Sequence, residues 1–175
     1  MKKWGVTSVV LVLVIVLTVY YFNTKEVYGN DRDSIEKVIY SIEGYEDQQI
    51  EILDIQDFND YRFVGFLSNN HPSYVEFYKN HKGNYEWRHI ETDSNDSLGF
   101  FLPFIHDDLN MMVVTNYENE IAKIQIDVNG ESVEQEFTPL NASVTWIELP
   151  QSDSRDYEFK NYRYYDNDGH LIFGE

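Results

Sequence analysis

Ile124-Gln125-Ile126-Asp127-Val128-Asn129-Gly130-Glu131 alternates apolar and polar side chains and then runs into Asn-Gly. The period of two puts Ile124, Ile126 and Val128 on one face of a strand. Asn-Gly suits a type I′ turn, whose two central residues both take positive φ. A hairpin therefore centres on residues 129–130, with Ser132 to Thr138 as its returning strand. Working outward, Met111 to Thr115, Ile121 to Val128, Ser143 to Leu149, Tyr157 to Tyr165 and His170 to Phe173 bring the number of short strands to six, and Asp168-Gly169 makes a second tight reversal. This spacing predicts a small antiparallel β-sandwich-like module over residues 109–175.

Upstream the period changes. Ile35, Val38, Ile39 and Ile42 recur at helical spacing, Asp33 and Glu36 have the capping-box separation, and Gly44 supplies a stop, which predicts one helix from Asp33 to Glu43. Period two then returns in Ile50 to Ile55, with an irregularity, and in Tyr61 to Leu67, Tyr74 to Lys79 and Tyr85 to Glu91. The last two runs flank the loop Asn80-His81-Lys82-Gly83-Asn84, so residues 33–92 read as a helix plus a four-strand antiparallel meander. Residues 93–108 form a junction, in which the apolar patch Leu98 to Ile105 is broken by Gly99 and Pro103. Each half is small for a core of its own, so the meander is expected to pack on the sandwich-like module. The fold class is α+β, mostly β.

The other end of the chain differs in kind. Trp4 to Phe22 is a run of 19 residues without Asp, Glu, Lys, Arg or His. As a helix it reaches ~28 Å, close to the hydrocarbon thickness of a bilayer. Trp4 stands at one boundary and Tyr20, Tyr21 and Phe22 at the other, where amphipathic rings favour the headgroup layer, and Lys2 and Lys3 precede the run. The expectation is a cytoplasmic tip and transmembrane anchor at 1–22, a polar linker at 23–32, and export of the remainder. No Ala-x-Ala-like site follows the apolar run, which argues against cleavage. Absence of cysteine excludes lipoprotein acylation, disulfides and a thiol nucleophile.

Of the 13 basic residues, 11 lie after residue 22, against all 31 acidic ones, a net −20. That charge repels nucleic acid and anionic lipid, and it suits solubility or a basic partner. The sequence lacks a Gly-x-Ser-x-Gly elbow, a P-loop and a dinucleotide fingerprint, and none of its five histidines are paired at i, i+4. His106, Asp107 and Asp108 are weak candidates for a metal site, since adjacent residues seldom all reach one ion. Glu51, Asp54, Asp57 and Asp60 are the carboxylates a wall-directed hydrolase would need. Phe100, Phe101 and Phe104 in the junction, with Tyr162, Arg163 and Tyr164 near the end, are the candidates for an interaction patch, because aromatics with an arginine anchor interfaces.

In layout, the Lys2-Lys3-led anchor, the Trp4 to Phe22 run, Ile124 to Glu131 and the closing Tyr165-Asp166-Asn167-Asp168-Gly169-His170-Leu171-Ile172 resemble the small signal-anchored surface proteins of Gram-positive bacteria. The resemblance implies an extracytoplasmic domain on a single-pass anchor and transfers no catalytic residues. The expected role is non-catalytic binding of an envelope protein or wall component, without a cofactor. A wall-directed hydrolase and a small-ligand or cation sensor remain the alternatives.

Overall fold

The computed structural model describes residues 11–14, 27–105, 108–152 and 156–174. The anchor expected at Trp4 to Phe22 lies, apart from residues 11–14, outside them. Those four residues are helical with their side chains exposed. Among the described residues no helix is long and apolar enough to cross a membrane.

The rest is mostly β and antiparallel. Helix α1 (Arg32–Tyr40) leads into β1 (Ile50–Phe58), β2 (Tyr61–Ser68), β3 (His71–Lys79) and β4 (Tyr85–Thr92), which form one four-stranded sheet in chain order. The helix starts and stops earlier than its sequence predicts. Its N-cap is Asp31, whose side chain accepts from the Ser34 backbone while the Ser34 hydroxyl accepts from the Asp31 N–H; this box takes the place of one at Asp33 and Glu36. Ser41 caps the other end, and Gly44 (φ 93°) lies beyond it.

The irregularity expected in the first strand is a register shift between Ile52 and Asp54. The turn between β2 and β3 is made by Asn69 and Asn70 at φ 50° and 67°, a type I′ pair without glycine, and His71 and Pro72 open β3. Asparagine tolerates the left-handed region, which makes the reversal possible.

The second half contains β5 (Leu98–Phe101), the two-residue strands β6 (Phe104–Ile105) and β7 (Asp108–Leu109), then β8 (Met111–Thr115), β9 (Lys123–Val128), β10 (Glu131–Glu136), β11 (Ser143–Ile147), β12 (Phe159–Tyr165) and β13 (Leu171–Gly174). Val128 pairs with Glu131 across Asn129 and Gly130, both at positive φ, as the hairpin chemistry requires. The strands divide into a sheet ordered β10-β9-β12-β13, a three-stranded sheet ordered β11-β8-β5, and the β6–β7 ladder. Part of the stretch read as a junction is thus a strand.

Burial explains why. All five residues of β8 are buried, so this strand is covered on both faces. Met112 and Val114 pack with Phe63, Leu67 and Tyr74 of the first sheet, whereas Met111 and Val113 pack with Ile124, Ile126 and Val128. The α1 face carrying Ile35, Val38 and Ile39 meets Val64, Phe66, Val75 and Phe77 on the far side of the first sheet. The order of layers is therefore helix, four-stranded sheet, three-stranded sheet, four-stranded sheet.

Between the first two sheets, Trp146 packs edge-on against Phe58 and Phe63, at 5.1 and 5.7 Å between ring centroids, and its buried Nε1 has no hydrogen-bond partner among the described residues. An unsatisfied buried donor costs about 1–3 kcal/mol, which offsets much of the packing lost on shrinking the ring. Trp146→Phe should leave the urea unfolding free energy within about 1 kcal/mol of wild type, and Trp146→Ala should lower it by about 3 kcal/mol. A large loss in the phenylalanine variant would mean that the indole N–H is engaged.

Candidate functional site

Between β5, an edge strand of the middle sheet, and β13, an outer strand of the last sheet, a cleft of about 190 Å³ opens. Leu98 and Phe100 of β5, Tyr164 of β12, and Ile172 and Phe173 of β13 line it, with Ile121. Asp93, Asp96 and Ser97, on the segment entering β5, complete the wall, and no Lys, Arg or His among the described residues takes part. Neither Asp93 nor Asp96 is ion-paired within the described residues. Among the described residues, the cleft thus joins apolar walls to two carboxylates without a counter-cation.

Local chemistry holds these groups in place. The main chain of Asp93 donates to Pro72 O at 2.8 Å, and its carboxylate accepts from the Asn95 N–H at 3.1 Å, which fixes the approach to β5. Tyr164 and Phe173 stack with centroids 5.3 Å apart, and Phe100 meets Tyr162 and Tyr164 edge-on at 6.3 and 6.5 Å. Burial raises the Tyr162 phenol above its ordinary pKa, so this ring stays neutral behind the cleft.

The β12–β13 loop aims β13. Asp166 accepts from the N–H groups of Asp168 and His170 at 2.9 and 2.8 Å, and Gly169 (φ 80°) donates back to Asp166 O at 3.1 Å. The Asn80 loop is built the same way: Asn80 accepts from Lys82 and Asn84, and Gly83 (φ 83°) donates back to Asn80 O. An Asn or Asp at the first position and glycine at the fourth make a five-residue reversal in both.

Of the aromatic patch expected from sequence, Phe100 and Tyr164 line the cleft and Tyr162 backs it. Phe101 points the opposite way, 2 % exposed and 4.8 Å from the Tyr74 ring, because alternate residues of β5 face different layers. It cannot meet a partner. Phe104 sits in β6, paired with Leu109. Arg163 is exposed beside Gln125, away from the lining. Sequence reasoning placed Leu98 in the apolar patch of the junction but assigned Asp93, Asp96, Ile121, Ile172 and Phe173 to no site. The one signal available for them was Leu171-Ile172-Phe173, an apolar run that does not alternate.

The other candidates read differently in three dimensions. His106 and Asp107 lie outside the described residues, and Asp108 pairs with Ile105 in the β6–β7 ladder. Asp166, Asp168 and His170 bring ligand atoms within 4.8 Å of one another, but the Asp166 carboxylate is committed to loop N–H groups. The His170 backbone N–H is the largest of the causes holding its pKa below the usual carboxylate value. Glu51 and Asp57 are six residues apart on β1, or about 20 Å along a strand, beyond the roughly 5–9.5 Å of glycosidase pairs. Glu51 accepts from the Tyr117 hydroxyl at 2.7 Å, and Asp57 is held by Arg62.

A polar hollow of about 450 Å³ also opens beside the Asn69–Asn70 turn, but its amides are spent on structure: Asn70 donates to Glu118 at 3.0 Å and Asn116 to Asn70 O at 2.8 Å. No family model matches the chain, and no curated protein or solved structure matches it either, so the apolar cleft with its two carboxylates is the feature from which a function must be argued.

Proposed function

We propose that this chain is a membrane-anchored, extracytoplasmic binding protein of the cell envelope, non-catalytic, which holds a protein partner through the cleft between β5 and β13. The Trp4 to Phe22 run supports the anchor and the acidic remainder supports export as a folded domain. The observation that carries the binding reading is the cleft together with its exposed rim: Ile172 and Phe173, 50 and 54 % exposed, both line it, and Leu171, next in the chain, is 57 % exposed. Contiguous apolar surface of this kind, rimmed by polar groups, marks interaction sites. Its volume favours a protein side chain over a free metabolite, because sites for drug-sized ligands run to ~300–1,000 Å³.

Crosslinking of the full-length protein in intact membranes tests this. Ile172→Asp and Phe173→Asp each place a charge on an exposed position and should leave the fold intact while abolishing recovery of the partner. Trp87→Asp, at an exposed aromatic of β4 six residues before Asp93, or about 20 Å along a strand, and outside the cleft lining, should have no effect. Equal recovery with all three variants would overturn the assignment of the cleft.

A further inference from the structure

The outer strands of this molecule are not treated alike. Edge strands expose unpaired N–H and C=O groups, and native proteins guard them with charges, proline, bulges or cover. Strand β1 carries Glu51, Asp54 and Asp57, β4 carries Glu86, Arg88 and Glu91, and β10 carries Glu131, Glu134 and Glu136. The edges of the middle sheet, β5 and β11, keep their side chains buried or half-buried between the outer layers. Strand β13, Leu-Ile-Phe-Gly, has no charge and no proline, and all four residues are exposed. Its apolar side chains adjoin a cleft that ends in Asp93 and Asp96.

We propose that the occupant of the cleft is an extended, cationic segment of a partner protein, added as a new strand along β13. The inference rests on reading the cleft as the binding site and names what fills it. The ladder to β13 would supply main-chain hydrogen bonds, and alternate side chains would divide between two environments, the general mode of strand addition. One apolar side chain fits the space between Phe100, Tyr164 and Phe173, and a Lys or Arg of the same segment reaches Asp93 and Asp96. A second copy of this chain fits poorly as the occupant. Each copy carries a net charge of −18, and apposing two such surfaces is unfavourable.

The test uses the full-length protein in neutral-lipid nanodiscs and a set of blocked octapeptides: alternating Val-Lys, alternating Val-Glu, a block peptide with all its valines before all its lysines, and alternating Val-Lys with every amide N-methylated. Phenethylammonium serves as a probe of the cleft alone. Alternating Val-Lys should bind and should slow hydrogen exchange at residues 171–174. N-methylation should weaken it at least about tenfold, since the loss of two or more ladder bonds suffices for that. Asp93→Asn with Asp96→Asn should weaken it to a similar degree, and Val-Glu should not bind.

Equal binding of the block peptide would reduce the effect to charge attraction and overturn the proposal. Binding that survives full N-methylation, or binding of phenethylammonium at the cleft without any peptide, would overturn strand addition while leaving the cleft as a site. If neither phenethylammonium nor any peptide perturbs Phe100, Tyr164 or Phe173, the cleft reading falls as well.

Discussion

Arg62→Met should lower the unfolding free energy by about 3 kcal/mol in urea titrations at pH 7, with Arg62→Lys recovering about half. Arg62 lies directly across from Asp57 in the β1–β2 ladder and forms a bidentate pair with it, at 2.7 Å from Nε and 2.8 Å from Nη2. Its remaining nitrogen, Nη1, donates to the carbonyls of Gly29 and Asn30 at 2.8 and 2.9 Å, and the guanidinium lies 4.0 Å from the Tyr85 ring centroid. A single 13 %-exposed side chain thus ties the segment before α1 to the sheet. Charge-assisted bonds of this kind are worth about 1.5–3 kcal/mol each when lost; exposure of Asp57 reduces that, and the two stranded carbonyls restore part of it. Lysine keeps the charge but not the fork, which is why it recovers only part.

The pair also sets an acid limit. The hydrogen bond from Arg62, the largest cause, holds the Asp57 carboxyl below its ordinary value. An acid with a depressed folded pKa stabilises the fold above its unfolded value of about 4, and that contribution is lost as pH falls through the folded value. Between pH 5 and 2 the wild type should therefore lose more stability than Arg62→Met, in which Asp57 titrates near its unfolded value. Parallel losses in the two proteins would show that the pair contributes nothing.

Gly65→Ala should cost about 2 kcal/mol, and Val144→Ala in the same chain should recover most of it. A Cβ at Gly65 would stand 2.3 Å from Val144 Cγ2 and 3.2 Å from Cγ1. Valine is stiff at χ1, and Val144 is paired with Val114 in β11, so it can neither rotate away nor retreat. Overpacking of this kind typically costs 1–3 kcal/mol, against which the entropic gain of replacing glycine recovers less than about 1. The double-mutant cycle should show a coupling of about 2 kcal/mol between two residues 79 positions apart. Simple additivity would mean that β2 and β11 do not face each other and that the layer order is wrong.

Much of this molecule was legible locally. The Asn129-Gly130 turn, the period-two runs on either side of it, the Ile52–Asp54 irregularity and the helical spacing of Ile35, Val38 and Ile39 are properties of a few neighbouring residues, and their conformations follow from φ preferences and side-chain period. The Asn69–Asn70 turn belongs to the same class and was missed because it lacks a glycine. The aromatic patch was legible as composition, but not as a surface. Phe100 and Phe101 are adjacent in sequence, and only the layer on each side of β5 decides that one lines the cleft and the other is sealed against Tyr74.

What the amino-acid sequence determined by itself was the class of the fold, antiparallel and mostly β, together with the reversals at Asn80–Asn84, Asn129-Gly130 and Asp168-Gly169 that make β3 and β4, β9 and β10, and β12 and β13 neighbours. Tertiary structure alone decided that β8 is shared between two cores, that Gly65 is a contact surface for Val144, and that Asp93 and Asp96 meet Ile172 and Phe173 across some 80 residues of chain. The reason is physical: turn and period signals act over a few residues, whereas burial is settled by which faces of distant sheets exclude water together.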